Sequence, residues 1–181
     1  MSLQAGTYQL GPGDGTLSVR TGRTGAAAKA GHDLLLHVTA WEATLAVGGD
    51  HAATSVELAA DAASLRVREG RGGMQSLGDD DRASIEQTID DDVLKRQDIR
   101  FRSTAVTGGD GKLRVEGELT LAGTTRPLAF ELHVGDDGRL RAVAVVKQSD
   151  WGMKPYSALF GALKVADDVR VELDAGLPQS P

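Results

Sequence analysis

The chain has 181 residues, no cysteine, and a formal net charge of −6 from 26 acidic and 20 basic side chains. That length fits one domain, residues 1–181 taken together, with enough chain for a real core and no ordinary second unit. The acidic balance argues against a nucleic-acid partner or an anionic membrane surface, and the missing cysteine excludes disulfides, thiolate metal sites and a catalytic thiol.

The opening residues MSLQAGTYQLGP carry neither a basic nor an apolar leader segment, and no apolar run approaches the roughly 18 residues of a spanning helix. The expectation is a soluble, cytoplasmic protein without stable membrane insertion. After the turn-rich GPGDG, residues 16–21 alternate weakly through Leu17 and Val19 and read as a first strand. Residues 21–30 are small and Gly-rich. Along 32–38 the even positions Leu34, Leu36 and Val38 are apolar, whereas along 41–47 the odd positions Trp41, Ala43, Leu45 and Val47 are. A change of parity near Thr39 and Ala40 predicts a bulge or sharp bend, of the kind that turns a barrel corner.

Residues 55–60 form another strand and 64–67 a short extended piece, followed by EGRGG at 69–73, which reads as flexible. Residues 79–94 are the one convincing helix: Ile85, Ile89 and Val93 recur at helical spacing, and Asp79, Asp80 and Asp81 offer an N-cap and favourable charge at the positive end of the dipole. Asp90, Asp91 and Asp92 oppose the dipole at the far end, with Lys95 and Arg96 in partial compensation. Residues 97–107 return to strand, and GGDG at 108–111 is a hairpin turn.

The clearest pattern follows. Leu113, Val115, Gly117, Leu119 and Leu121 share one face of a strand, and Leu128, Phe130, Leu132 and Val134 share one face of the next. Period two in both arms means an antiparallel hairpin with one wet face, turned by residues 122–127, AGTTRP. Residues 139–148 make a long strand, 150–163 an irregular aromatic connection, and 168–174 a last strand. The sum is an all-β chain: a single antiparallel barrel of about eight strands with one α-helix inserted at about 79–94. Aromatics are only 4% of the chain, so the interior is lined by small side chains and is either a narrow core or a cavity.

Four stretches carry a resemblance. VLKRQDIRFRS (93–103), GELTLAGTTRPLAFEL (117–132), SDWGMK (149–154) and ADDVRVEL (166–173) occur in the order of the motifs of the YceI-like family, which the chain resembles. The first half differs: DGTLSV at 14–19 stands where the family has H-S-x-I-x-F, and AGHDLLL at 30–36 looks like a cytoplasmic branch without a leader. The resemblance implies a lipocalin-like barrel associated with polyisoprenoid binding.

Chemistry is sparse by comparison. His32 and His37 are five apart on one strand and so point to opposite faces, His51 falls in a turn and His133 on a wet face, so no metal set is expected. The aspartate runs lack calcium-loop spacing, EGRGG does not open a helix as a phosphate cradle would, and no G-x-S-x-G elbow occurs. The reading is therefore a non-enzymatic binder or carrier of an elongated apolar small molecule, an isoprenoid or other lipid, with no cofactor and with a homodimer left open. The expected lining is Leu36, Val38, Trp41, Phe101, Leu119, Phe130, Trp151, Met153, Tyr156 and Phe160, with His32 and Lys147 as polar contacts. Two alternatives stand beside it. One is a stress-response or interaction module with a packed barrel; the other is a hydrolase or isomerase, which would need His32, Asp33 or Asp150 gathered inside with Ser149.

Overall fold

The computed structural model describes residues 3–158, 161 and 163–178. Its strands are β1 (Gly6–Leu10), β2 (Gly15–Thr21), β3 (Arg23–Thr24), β4 (His32–Val38), β5 (Trp41–Val47), β6 (Ser55–Ala60) and β7 (Leu65–Gly72). The helix α1 (Asp79–Thr88) then runs into one π turn, Ile89–Val93. After it come β8 (Ile99–Gly109), β9 (Lys112–Leu121), β10 (Thr124–Val134), β11 (Arg139–Lys147), β12 (Ser157–Ala158), β13 (Leu163–Val165) and β14 (Asp168–Gly176). Eleven strands join one antiparallel sheet in the order β1-β5-β6-β8-β9-β10-β11-β14-β2-β4-β7, and β12-β13-β3 make a small second sheet.

The large sheet is curled. β4 runs straight into β5, and β6 into β7 through a 3-10 turn at Ala62–Ser64, so β5 and β6 near one end of the strand order and β4 and β7 at the other are halves of the same two bent strands, and the half-barrel wraps back toward itself at that corner. The bend falls at Thr39 and Ala40, where the parity of the sequence changes. A backbone bond from Thr39 N–H to Ser64 C=O and another from Asp61 N–H to Ala40 C=O fasten the two bends together. Bulges sit elsewhere: Arg68 is the extra residue of β7 against β4, and Thr104 that of β8 against β9.

The all-β class, the antiparallel pairing and the single helix are as expected, and the strand count is higher than about eight. Two long strands are each broken by their bend, and β1, β3, β12 and β13 are too short for periodicity to reveal. EGRGG is not a flexible loop throughout: β7 continues to Gly72 because it is paired with β4 as far as His32. The turn between β9 and β10 is also shorter than 122–127. Ala122 and Gly123, at φ 47° and 79°, make a two-residue type I′ turn, and β10 resumes at Thr124. Asp110 and Gly111 do the same between β8 and β9. The aspartates do not cap α1. Gly78 holds that position, and its N–H donates to Asp81 Oδ2 at 2.9 Å. At the other end Arg96 answers the acidic run, with Nε 2.6 Å from Asp91 Oδ1; that bond is the main cause holding the Asp91 carboxyl below its usual range.

Side chains follow the alternation. On β9 every inward residue from Leu113 to Leu121 is buried and every outward one is exposed apart from the half-buried Thr120, and the core joins the inward row to Leu17, Leu36, Leu45, Phe101 and Leu140. Gly117 occupies one inward position because the Phe101 ring and the backbone of Arg102 and Ser103 leave no room for a side chain there; the same Phe101 ring meets that of Phe130, centroids 5.3 Å apart and tilted by 57°.

Candidate functional site

The curled sheet is not packed solid. It encloses a cavity of about 470 Å³ whose wall draws on most of the large sheet, on α1 and on the small second sheet. The even positions of β4 (Leu34, Leu36 and Val38) form one side, Phe101 and Leu119 with Leu128 and Phe130 the opposite side, and Val169, Val171 and Leu173 the span between. α1 closes part of the surface with Ile85 and the π turn after it with Ile89, and Glu86 Oε1 of α1 accepts the Val67 N–H at 2.9 Å, which fixes the helix to β7. Burial on one face is what the small apolar side chains of the sequence achieve; filling the space between faces is what they do not.

Among the described residues no carboxylate lines the cavity, and its charged or ionisable lining is Arg23, His32, Lys164 and, at the rim, Tyr156. Arg23 is held at one end: its guanidinium donates to the Gly31 carbonyl and stands 3.5 Å from Asp33 Oδ1. His32 Nε2 donates to the Gln75 carbonyl at 2.7 Å, since a carbonyl can only accept, and this assigns the ring proton to that nitrogen. Gly73, at φ +75°, lies so close against the imidazole that no side chain could replace its hydrogen. Gln148 is buried and donates from Nε2 to the Ala166 carbonyl at 3.1 Å.

Of the residues singled out in the sequence, His32, Leu36, Val38, Phe101, Leu119, Phe130, Met153 and Tyr156 stand in the wall. Tyr156 marks the rim, with 53% of its surface exposed. Trp41 and Trp151 are buried but lie outside the wall, and Trp151 Nε1 donates to the Leu119 carbonyl at 2.8 Å. Lys147 is exposed and also outside the wall. Phe160 lies outside the described residues. Thr21, Arg23, Gln148 and Leu163 line the cavity without any signal in the sequence, because the Gly-rich and irregular segments around them have no periodicity. Ile85 and Ile89 were visible only as one face of a helix.

The four residues that a hydrolase or isomerase reading calls for are not brought together. Ser149 donates to Asp167 at the surface, Asp33 faces Arg23, the Asp150 carbonyl receives Arg126 Nε, and His32 is bound to Gln75. Among the described residues no group of His, Asp and Glu could hold a metal ion, and no helix is long and apolar enough to cross a membrane.

The YceI-like domain family matches residues 12–177. The chain belongs to that family. No curated protein sequence matches it. Among solved structures, BcnA of Burkholderia cenocepacia is similar at 18% identity and TM-score 0.61, over 87% of this chain and 94% of that one. The YceI protein of Campylobacter jejuni is similar at 15% identity and TM-score 0.56, over 80% of this chain and 85% of that one. A mutant of the C. jejuni protein with a monobromobimane guest is similar at 15% identity and TM-score 0.57, with the same coverage. These likenesses agree with the YceI-like fold.

Proposed function

We propose that the protein binds one elongated apolar small molecule, an isoprenoid or other lipid chain, in the cavity, and acts as a non-enzymatic carrier in the cytoplasm. The observation that carries this is a cavity of about 470 Å³ lined almost wholly by aliphatic and aromatic side chains, with no carboxylate in its wall. Its size falls in the roughly 300–1,000 Å³ range of small-molecule sites. Each buried methylene contributes about 0.8 kcal/mol, so a chain of ten carbons gains on the order of 8 kcal/mol gross before association costs. Polar recognition need not be strong. Arg23 at one end, partly committed to Gly31 and Asp33, favours a neutral or anionic head over a cationic one.

Native mass spectrometry of the purified protein, followed by solvent extraction, tests this. The expected outcome is a bound lipid recovered in the organic phase, or uptake of an added polyprenol or fatty acid by the stripped protein. A protein that yields no lipid and takes up neither probe does not have this function.

A further inference from the structure

The wall of the cavity has a break. β10 and β11 are paired only from Glu131 opposite Val143 to Val134 opposite Leu140. Both strands continue past that point, β10 held by β9 and β11 held by β14, yet no ladder joins residues 127–130 to residues 144–147. Two strand edges therefore face one another unpaired. Below them Arg126 Nε donates to the Asp150 carbonyl at 3.3 Å and closes the gap. Four residues of strand at roughly 3.3 Å each give a window about 13 Å tall.

Three features set this window apart from an accident of twist. Pro127 lies in it, one residue from the pair Arg126 and Leu119; in the register imposed by the two-residue turn its nitrogen faces away from β9, toward β11, and it has no N–H to give. The inward residues Leu132 and Val134 above the window are buried, whereas three of the four inward residues beside it, Leu128, Phe130 and Ala144, are only partly so, Val146 at its foot being buried, although all six positions are apolar. On the outside of β11, Val143 and Val145 are 42% and 58% exposed, an apolar sill next to the charged Arg141, Arg170 and Glu172. Leu128, Phe130, Ala144 and Val146 border the gap and also line the cavity.

We propose that this window is a lateral portal through which the apolar chain of the ligand enters and leaves, distinct from the rim at Tyr156. The occupant it suits is a single hydrocarbon chain, since the lips are aliphatic and the unpaired backbone groups can part without breaking a ladder. The proposal rests on the lipid-binding reading of the cavity.

A bridge across the window tests it, and the absence of native cysteine makes the chemistry clean. In the continued register Ala129 stands opposite Val145, so the double variant Ala129→Cys with Val145→Cys is oxidised, or joined by a short bis-maleimide where the thiols stay apart. Arg102→Cys with Glu118→Cys, across a paired part of the wall, is the control. Stopped-flow fluorescence then follows uptake and release of cis-parinarate. Bridging the window slows both rates about tenfold with the equilibrium affinity nearly unchanged, and reduction of the disulfide restores them; the control bridge leaves them alone. Equal rates with and without the window bridge overturn the portal. Failure of the unmodified protein to bind cis-parinarate or a polyprenol is a separate result, and overturns the binding reading and the portal with it.

Discussion

Gly117 shows how the interior is made by leaving something out. It sits inward on β9 between Leu119 and Val115, where a side chain would meet the Phe101 ring at 2.6 Å and the Arg102 carbonyl more closely still. Gly117→Ala is expected to destabilise by about 1–3 kcal/mol, the usual range for overpacking, seen as a lower urea midpoint with an unchanged slope. The tryptophans show the opposite preference. Both read as cavity lining in the sequence because they are large and apolar; Trp151 instead places its indole N–H on the Leu119 carbonyl outside the wall, whereas Trp41 packs into the core with its Nε1 buried and without an acceptor among the described residues. Beyond Leu36, Val38, Leu119 and the two phenylalanines, most of the lining falls to other leucines and valines, too common for sequence to single out. His37 faces the other side of β4, and burial first, then Arg68 and Arg20, lowers its pKa below the usual 6.5. The folded state therefore resists protonation that the unfolded chain accepts. Stability is fully present above about pH 6.5 and falls as the pH drops toward the folded-state pKa. His37→Gln should flatten that part of a stability-versus-pH curve measured by denaturant unfolding.

At the level of elements, alternating strands were legible: β2, β4, β5, β6, β8, β9, β10 and β14 lie where alternation places them, and β11 lies where a long run apolar on both faces places it. β1 was not, since it offers only Tyr8 and Leu10 as inward residues and gains its place by pairing with β5. Nor was the end of β7, whose glycines suggest a loop until β4 supplies the partner strand. The helix was legible as a helix, but not as part of the wall, because four-residue spacing reveals a buried face and not what the face covers. That covering depends on one polar contact. β7 is an edge of the large sheet, and the Glu86 carboxylate takes the Val67 N–H that no strand takes. Glu86→Ala is expected to cost about 1 kcal/mol, in the range for one hydrogen bond. Hydrogen exchange gives the sharper readout: the Val67 amide should exchange faster, with the amides of β9 unchanged.

The size of the whole enclosure sets a limit that no single residue does. A methylene takes up about the same room as a water molecule, roughly 30 Å³, so a cavity of about 470 Å³ accommodates on the order of sixteen chain carbons. This is a chain of fatty-acid length, or about three isoprene units. Up to that length each added methylene leaves water for an aliphatic wall and strengthens binding by about 0.8 kcal/mol at most. Beyond it, further carbons have no wall to meet and must pass out at the rim or between β10 and β11, where water still reaches them. Affinity for a series of single-chain fatty acids should therefore rise steeply with length and level off near sixteen carbons, and polyprenols of three units and of eight should bind with closely similar strength. Isothermal titration across both series measures this. An affinity that keeps rising well past sixteen carbons would mean that the wall opens to enlarge the cavity, and the first place to yield is the unpaired edge beside Pro127, where no ladder has to break.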